Sequence, residues 1–362
     1  MIKINLFSEM KPTFSLPTNP TLHGGHMNKP FEDITQNAEL SGASKKALQM
    51  VLEKIRNTKI NLLIVGGTGV GKSSTINAIF SMDCAKVGRG TTPETNEIAC
   101  YELNNMVLWD TPGLGDSTQK DNIYKEQIKN KLLEKDKNGN FLIDLVLLLI
   151  DGGSRDYSSA YTLINEIIAP NLGSKEEGCE KRLLVAINQA DMAMKGRNWD
   201  YSKSEPNEEL KKFLDEKVAT TKSRIKEDTN LDIEAIYYSA GYKEEGIDPK
   251  PYNLAKLLNF ITEKLPSKKR ISVINDINQN EENFATNDKA KDYIQSLDGL
   301  FQNSLIENIK EAIQNISESG KEIYQNVKNI LESATQLAKP AKEVISTIAP
   351  AASFIFKKFF NK

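Results

Sequence analysis

Gly66, Gly71, Lys72 and Ser73 stand at the spacing G-x-x-x-x-G-K-[ST] within the run Gly66-Gly67-Thr68-Gly69-Val70-Gly71-Lys72-Ser73-Ser74. The chemistry of that spacing is polyphosphate binding. Glycines let successive backbone N–H groups turn inward around anionic oxygens, and a helix N-terminus adds partial positive charge. Lys72 is placed to reach a β- or γ-phosphate, and the Ser73 hydroxyl to ligate Mg2+. The apolar run Ile60-Asn61-Leu62-Leu63-Ile64-Val65 leads into the loop, and a helical pattern from Ser73 to Phe80 leads out. That is the strand–loop–helix context the motif requires; a glycine turn that merely joins strand to helix needs neither the full pattern nor these flanks. Gly67, Thr68, Gly69, Val70, Gly71, Lys72, Ser73 and Ser74 are the candidate phosphate contacts.

A phosphate loop does not distinguish one nucleotide from another; four further stretches do, in chain order. In Gly90-Thr91-Thr92-Pro93-Glu94-Thr95, one threonine hydroxyl is expected to complete the Mg2+ shell and sense the γ-phosphate. Thr92 is our choice, with Thr91 and Thr95 as rivals. Asp110-Thr111-Pro112-Gly113 follows a strand, so Asp110 can hold Mg2+ through water and the Gly113 N–H can meet the γ-phosphate. Asn188-Gln189-Ala190-Asp191 follows another strand. The Asp191 carboxylate can accept from guanine N1–H and N2–H, a donor pair that adenine lacks, while Asn188 braces the loop. Ser239-Ala240-Gly241 ends a third strand, where a backbone N–H can meet guanine O6. Each stretch is weak alone; five in order at strand ends select GTP and GDP with Mg2+.

The elements that must position these residues are legible in the apolar pattern. Asp144–Asp151 and Lys181–Asn188 are continuous apolar runs, as expected of parallel strands buried on both faces. Glu97–Leu103 and Met106–Asp110 read as two strands joined by Asn104-Asn105, a hairpin pair, and Ala235–Ser239 as a sixth, shorter strand. Helical patterns lie near 121–135, 157–169, 207–227 and 252–264. The expectation is an α/β fold: a doubly wound, mostly parallel six-stranded sheet, with an N-terminal helix and a helical C-terminal region. Asp136-Lys137-Asn138-Gly139-Asn140 opens like a calcium loop, but its twelfth position is Leu147, so it reads as a turn.

With 362 residues there is room for two domains, and a net charge of −2 implies no bulk attraction to nucleic acid. Cys84, Cys100 and Cys179 show no metal-ligand spacing, and no apolar run reaches the ~18 residues of a membrane span. Three cysteines and no signal peptide suit a reducing cytoplasm, with peripheral membrane contact as the alternative location. The expected organisation is a flexible tail over 1–30, an N-terminal helix over 31–57, the nucleotide domain over 58–266 and the helical region over 267–362. Two histidines beside glycines, His23 and His26, lie in the tail and read as nothing more. In the C-terminal region Ile309, Ile313, Ile316, Gly320, Ile323, Val327 and Ile330 step by alternate fours and threes, a heptad seam expected to pack within the chain.

GGTGVGKSS, GTTPET, WDTPGLGDS, NQAD and YYSAG stand where the five nucleotide motifs of Era-like GTPases stand. The domain resembles that translation-factor-related class, and most of all bacterial proteins labelled 50S ribosome-binding GTPases. Its helical flanks are similar to those of immunity-related GTPases. The resemblance covers over half the chain and implies slow, Mg2+-dependent GTP hydrolysis, with Lys72, Thr92 and Gly113 at the reacting phosphate. Three departures matter. Gln189 replaces the usual lysine of N-K-x-D, shortening the stem that covers one face of the base. Leu114 occupies the position of a water-orienting glutamine and can neither donate nor accept a hydrogen bond. Gly69 occupies the position of the asparagine found in potassium-stimulated members, so potassium activation is not expected. Arg89 is a candidate for an arginine finger in cis, against the plainer reading of a solvated surface residue.

Two functional classes follow. One is a nucleotide-dependent switch acting on an effector protein or the ribosome, with homodimerisation through the nucleotide domain as one source of the missing catalytic group. The other is a membrane-associated, self-assembling GTPase of the dynamin or immunity-related style. Residues 341–362 contain Phe354, Phe356, Phe359 and Phe360 interleaved with Lys342, Lys357, Lys358 and Lys362. That composition suits contact with an anionic membrane surface.

Overall fold

The computed structural model describes residues 42–80, 86–87, 98–113, 118–175, 177–241 and 250–314. Helix α1 (Gly42–Asn57) leads into β1 (Ile60–Gly66), followed by α2 (Lys72–Ile79), β2 (Lys86–Val87), β3 (Ala99–Glu102), β4 (Met106–Asp110), α3 (Thr118–Leu133) and β5 (Leu145–Asp151). Then come α4 (Ser158–Leu163), whose end loosens through a π turn and a 3-10 turn to Asn171, β6 (Leu183–Asn188), a short hairpin β7 (Trp199–Asp200) and β8 (Glu205–Pro206), α5 (Glu208–Thr229) and β9 (Glu234–Tyr237). The chain ends its described part with α6 (Leu254–Lys264), a 3-10 run over Ser267–Asp276, α7 (Glu282–Ala285) and α8 (Tyr293–Gln314).

The six expected strands and the two-residue edge strand β2 form one sheet in the order β2-β3-β4-β1-β5-β6-β9. Neighbours from β4 to β9 are parallel; only β2–β3 and β3–β4 are antiparallel. The strand order reverses at β1, which has β4 on one flank and β5 on the other. In open α/β sheets, ligands bind outside the carboxyl ends of the strands at such a reversal. The carboxyl end of β1 is the glycine loop.

Alternation along the central strands divides the interior. Ile60, Leu62 and Ile64 of β1, with Leu145, Leu147 and Leu149 of β5, point to one layer; Leu63, Val65, Val146, Leu148 and Ile150 point to the other. The second layer is covered by α3, α4 and α5 through residues such as Ile128, Leu163 and Ile225. Asn207 caps α5 by accepting from Leu210 N–H at 3.0 Å. The first layer is covered by α1, α2, α6 and, beyond Pro266, by α8. Tyr293, Leu297, Phe301, Leu305, Ile309 and Ala312 line one stripe of α8 and join the same core as β1. The stretch after Pro266 is therefore part of the core that supports the glycine loop, at least as far as Ala312. Ile309 of the heptad seam is buried within it, and the seam's side chains from Ile313 onward lie outside the described residues.

Polar contacts fasten this C-terminal stretch to the sheet. Asp276, 2% exposed, accepts from Asn104 N–H at 2.8 Å and from Asn105 and Met106 N–H at 2.7 Å each. The Asn104-Asn105 turn is thus held by a carboxylate far along the chain. Asn105 in turn donates to Ile55 and Thr58 carbonyls at the end of α1. Lys269 pairs with Asp144 at 2.8 Å, beside β5. The Asp136 stretch forms the expected turn, its carboxylate accepting from Asn138 and Asn140 N–H. No described helix is long and apolar enough to cross a membrane.

One acid on α8 strains against its surroundings. Burial pushes Asp298 up to about 6. Its folded value thus lies above the unfolded carboxylate's ~3.9, so the folded state binds the proton more tightly. The associated stabilisation is present at acid pH and is lost as pH rises through about 4 to 6. Asp298→Asn is therefore expected to stabilise the protein by about 1 kcal/mol at pH 7.5, allowing for partial solvent screening. The gain should shrink toward zero by pH 4.5, as read by urea unfolding at both values.

Candidate functional site

The loop between β1 and α2 has the backbone its sequence demands. Gly71 lies in the left-handed region at φ 86°, and a methyl group there would run into the Asn188 amide nitrogen. Both constraints make glycine obligatory. Thr68 and Gly69 at the loop's crest are exposed, as are Ser73 and Ser74 on the first turn of α2, whereas Val70 is buried beneath. Lys72 Nζ lies 3.2 Å from the Gly66 carbonyl and 3.1 Å from that of Gly67, curled over the loop.

Asp110 and Gly113 come to the same place from the end of β4. Thr111 anchors this segment, its N–H and hydroxyl both donating to the Ile64 carbonyl of β1 at 3.1 and 3.0 Å. Gly113 packs directly on Thr68 of the glycine loop, where a methyl group would collide with the threonine's backbone. Burial pushes the Asp110 carboxyl up to about 6, with Lys72 nearby opposing the shift. Its Oδ1 is buried and has no hydrogen-bond partner. A desolvated, unpartnered carboxylate oxygen beside a phosphate loop fits a cation or its bound water. The donor set of Ser73 and Asp110, both oxygen, suits Mg2+. Thr92, the third expected ligand, lies outside the described residues, as do Thr91, Thr95, Arg89, Leu114 and residues 341–362.

The base side of the site is built from the ends of β6 and β9. Asn188 is a two-way brace: its side-chain N–H donates to the Val70 carbonyl at 2.9 Å, and its Oδ1 accepts from Ala240 N–H at 3.1 Å. Asp191, 4% exposed, accepts from the Ser239 hydroxyl at 2.7 Å. That bond fixes the orientation of the carboxylate that would read guanine. Gln189, held at φ 58°, donates from its side chain to the Gly69 carbonyl at 2.8 Å. The shorter side chain thus still reaches the phosphate loop. The described candidates of the glycine loop, the Asp110–Gly113 segment, the Asn188–Asp191 loop and the Ser239–Ala240 turn therefore converge at the carboxyl ends of the strands.

Sequence reasoning missed one contact here. The Tyr238 hydroxyl lies 2.6 Å from the Thr75 hydroxyl, both buried, tying β9 to α2. Tyr238 stands in the motif YYSAG and Thr75 directly follows GGTGVGKSS, but no spacing signals that two side chains so far apart in sequence will meet.

Residues 61–189 match the family described as 50S ribosome-binding GTPase. The chain is similar to the tRNA modification GTPase MnmE of Sulfurovum sp. (strain NBC37-1), 30% identical over 173 residues, covering 45% of this chain and 35% of that protein. It is also similar to Interferon-inducible GTPase 1 of Mus musculus, 32% identical over 92 residues, covering 24% of this chain and 22% of that protein. Among solved structures, a probable GTP-binding protein engB is 23% identical, with a TM-score of 0.34, covering 56% of this chain and 97% of that one. The chain spans about a third or less of the length of the two curated relatives.

Proposed function

We propose that this chain, whose residues 61–189 form a GTPase domain of the 50S ribosome-binding type, binds GTP and GDP with Mg2+ and hydrolyses GTP as a nucleotide-dependent switch. The observation that carries the base specificity is the buried Asp191 carboxylate, oriented by the Ser239 hydroxyl at 2.7 Å. Backbone N–H groups from Gly67 to Ser74 and the start of α2 would cradle the phosphates, and Lys72 would neutralise their charge. Ser73, Asp110 and Thr92 would hold Mg2+, which would supply positive charge to offset that developing on the phosphate. Gly113 N–H would meet the γ-phosphate, and Ser239 and Ala240 would close on the base. Titration with fluorescent GDP and ADP, with Mg2+ and with chelator, tests this reading; equal affinity for the two nucleotides overturns it.

Positioning and charge neutralisation are supplied by these residues, but Leu114 cannot orient an attacking water. A catalytic group contributed across a homodimer of the GTPase domain meets that need. Specific GTPase activity is accordingly expected to rise several-fold between nanomolar and about tens of micromolar protein. A flat profile would assign the missing group to a separate activating protein or to the ribosome. The membrane-contacting alternative rests on the helical flanks and on the composition of residues 341–362.

A further inference from the structure

We propose that Lys217 is a positioning residue for guanine recognition: its ammonium clamps the loop after β5, and that loop is the floor on which Asn188–Met192 rests. The inference rests on the guanine-nucleotide reading of the site.

Lys217 comes from the middle of α5 and is half-buried. Its Nζ lies 2.7 Å from the Gly152 carbonyl, 2.7 Å from the Ser154 carbonyl and 3.0 Å from the Tyr157 hydroxyl. An ammonium carries three protons and accepts nothing, so these three oxygens use all of its donors. Burial pulls the lysine pKa down, and Asp151 nearby opposes that shift. Within the loop, Asp151 Oδ1 accepts from Gly153 N–H at 2.7 Å and the Asp151 carbonyl from Ser154 N–H at 3.2 Å. The segment 151–157 is thus drawn around a single charge.

This segment touches the base-reading loop directly. Gly152 N–H donates to the Asn188 carbonyl at 2.7 Å. A methyl group on Gly152 would come within 2.6 Å of the Asn188 carbonyl oxygen and 3.1 Å of that of Gln189. The Gly152 φ lies outside the left-handed region, so glycine is needed here for close approach and not for its conformation. A methyl group on the next residue, Gly153, would meet the Met192 carbonyl at 3.5 Å, just past Asp191. The base-reading loop is therefore held on three flanks. The Asn188 side chain donates to the Val70 carbonyl, Ala190 N–H donates to the Tyr238 carbonyl of β9, and Gly152 supports the flank toward β5. Leu210 and Leu214 of α5 also join Ala190, Ala193 and Trp199 in one apolar cluster. One helix sets both the loop and its floor, the first by apolar contact and the second through Lys217.

Asp191 must align with two guanine N–H groups, and a hydrogen bond weakens steeply as its angle departs from linear. Without the ammonium, the Gly152 and Ser154 carbonyls are released, the floor shifts, and Asp191 loses its alignment. GDP has two bonds to lose there. Inosine diphosphate, whose base lacks the exocyclic amino group, has one. Loss of the clamp therefore erodes the preference for GDP over inosine diphosphate, which a general loss of stability does not.

The test uses the full-length protein, with GDP and inosine diphosphate competing against fluorescent GDP in the presence of Mg2+. Lys217→Met keeps the length and removes the charge. It is expected to speed GDP dissociation about fivefold and to lower the preference for GDP about threefold, a fraction of what outright loss of a bond to the base would cause. Gly152→Ala, which presses a methyl group on the Asn188 and Gln189 carbonyls at the same contact, should act alike. Together the two should fall short of the product of their separate effects. Lys269→Met, which breaks the ion pair with Asp144 at the far end of β5, is the comparison. It should lower the unfolding midpoint and leave the preference unchanged. A Lys217→Met protein with a lowered midpoint but wild-type dissociation and preference would overturn the assignment, leaving the clamp a packing contact. So would effects of Lys217→Met and Gly152→Ala that simply multiply. Where Lys217→Met does not fold, Lys217→Gln, which keeps two N–H donors, takes its place with the same two outcomes. A wild type that does not bind GDP, or binds it no better than inosine diphosphate, removes the functional reading and this assignment with it. A wild type that prefers GDP, with indifferent variants, removes this assignment alone.

Discussion

Asp191→Asn lowers GDP affinity by about two to three orders of magnitude and relaxes selectivity toward xanthine nucleotides; this is the largest binding effect we expect. The wild-type carboxylate is 4% exposed and held by the Ser239 hydroxyl, so it has no freedom to find water in place of a lost partner. Guanine presents two donors, N1–H and one N2–H, and each bond to a buried acceptor is worth about 1–3 kcal/mol when one partner is left unpaired. The asparagine amide would set an N–H against a guanine N–H. Xanthine carries an oxygen at C2, which accepts from that amide. Competition between GDP and xanthosine diphosphate for a fluorescent nucleotide measures both changes. A GDP affinity within threefold of wild type would move base recognition away from Asp191. Because the side chain is nearly isosteric and the Ser239 hydroxyl can still donate to its amide oxygen, stability in the absence of nucleotide should change far less than affinity.

Asp276→Ala is expected to destabilise the protein by about 4 kcal/mol, near the upper end for single substitutions. Three backbone N–H groups of the Asn104–Met106 turn end on this carboxylate, and so does the Asn104 side chain at 3.0 Å. Removing it strands the buried Asn105 and Met106 N–H groups, whereas the Asn104 donors are only partly buried and its side-chain amide still donates to the Asn275 carbonyl at 3.0 Å. Each buried orphan costs about 1–3 kcal/mol, and the total falls short of the sum because the shortened side chain admits some water. Asp276→Asn keeps one acceptor oxygen but turns an amide toward N–H donors, so it should lose roughly half as much. Guanidinium unfolding of the nucleotide-free protein gives the comparison. A loss under about 1 kcal/mol would mean that water replaces the carboxylate, and that the C-terminal stretch is held by α8 packing alone.

Much of the fold was legible because its signals are local. The apolar runs at β5 and β6 announce strands buried on both faces, and the structure pairs both in parallel in the sheet's middle. The Asn104-Asn105 pair marked a hairpin, which β3 and β4 form. What periodicity could not convey was the partner of an apolar stripe. The stripe on α8 shows that one side of the helix is buried, but nothing in its spacing says that it lies on the same layer as β1 and the glycine loop. The Asp276 clamp was equally silent, since a single acid after a basic run has no pattern.

The sequence by itself determined which residue types stand at the site and in what order: a glycine loop ending in Lys72 and Ser73, an acid at 110, the pair Asn188 and Asp191, and Ser239 with Ala240. Those are requirements of ligand chemistry, written as short runs at strand ends, and a short run is readable without its neighbours. The tertiary structure alone decided how the runs are fastened to one another. Asn188 meets Val70 across 118 residues, Gln189 meets Gly69 across 120, Tyr238 meets Thr75 across 163 and Asp276 meets Asn104 across 172. A hydrogen bond is satisfied by distance and angle within a few ångströms, whatever the separation along the chain. Strand order sets those distances, and it is a property of the packed sheet, not of any one of its strands.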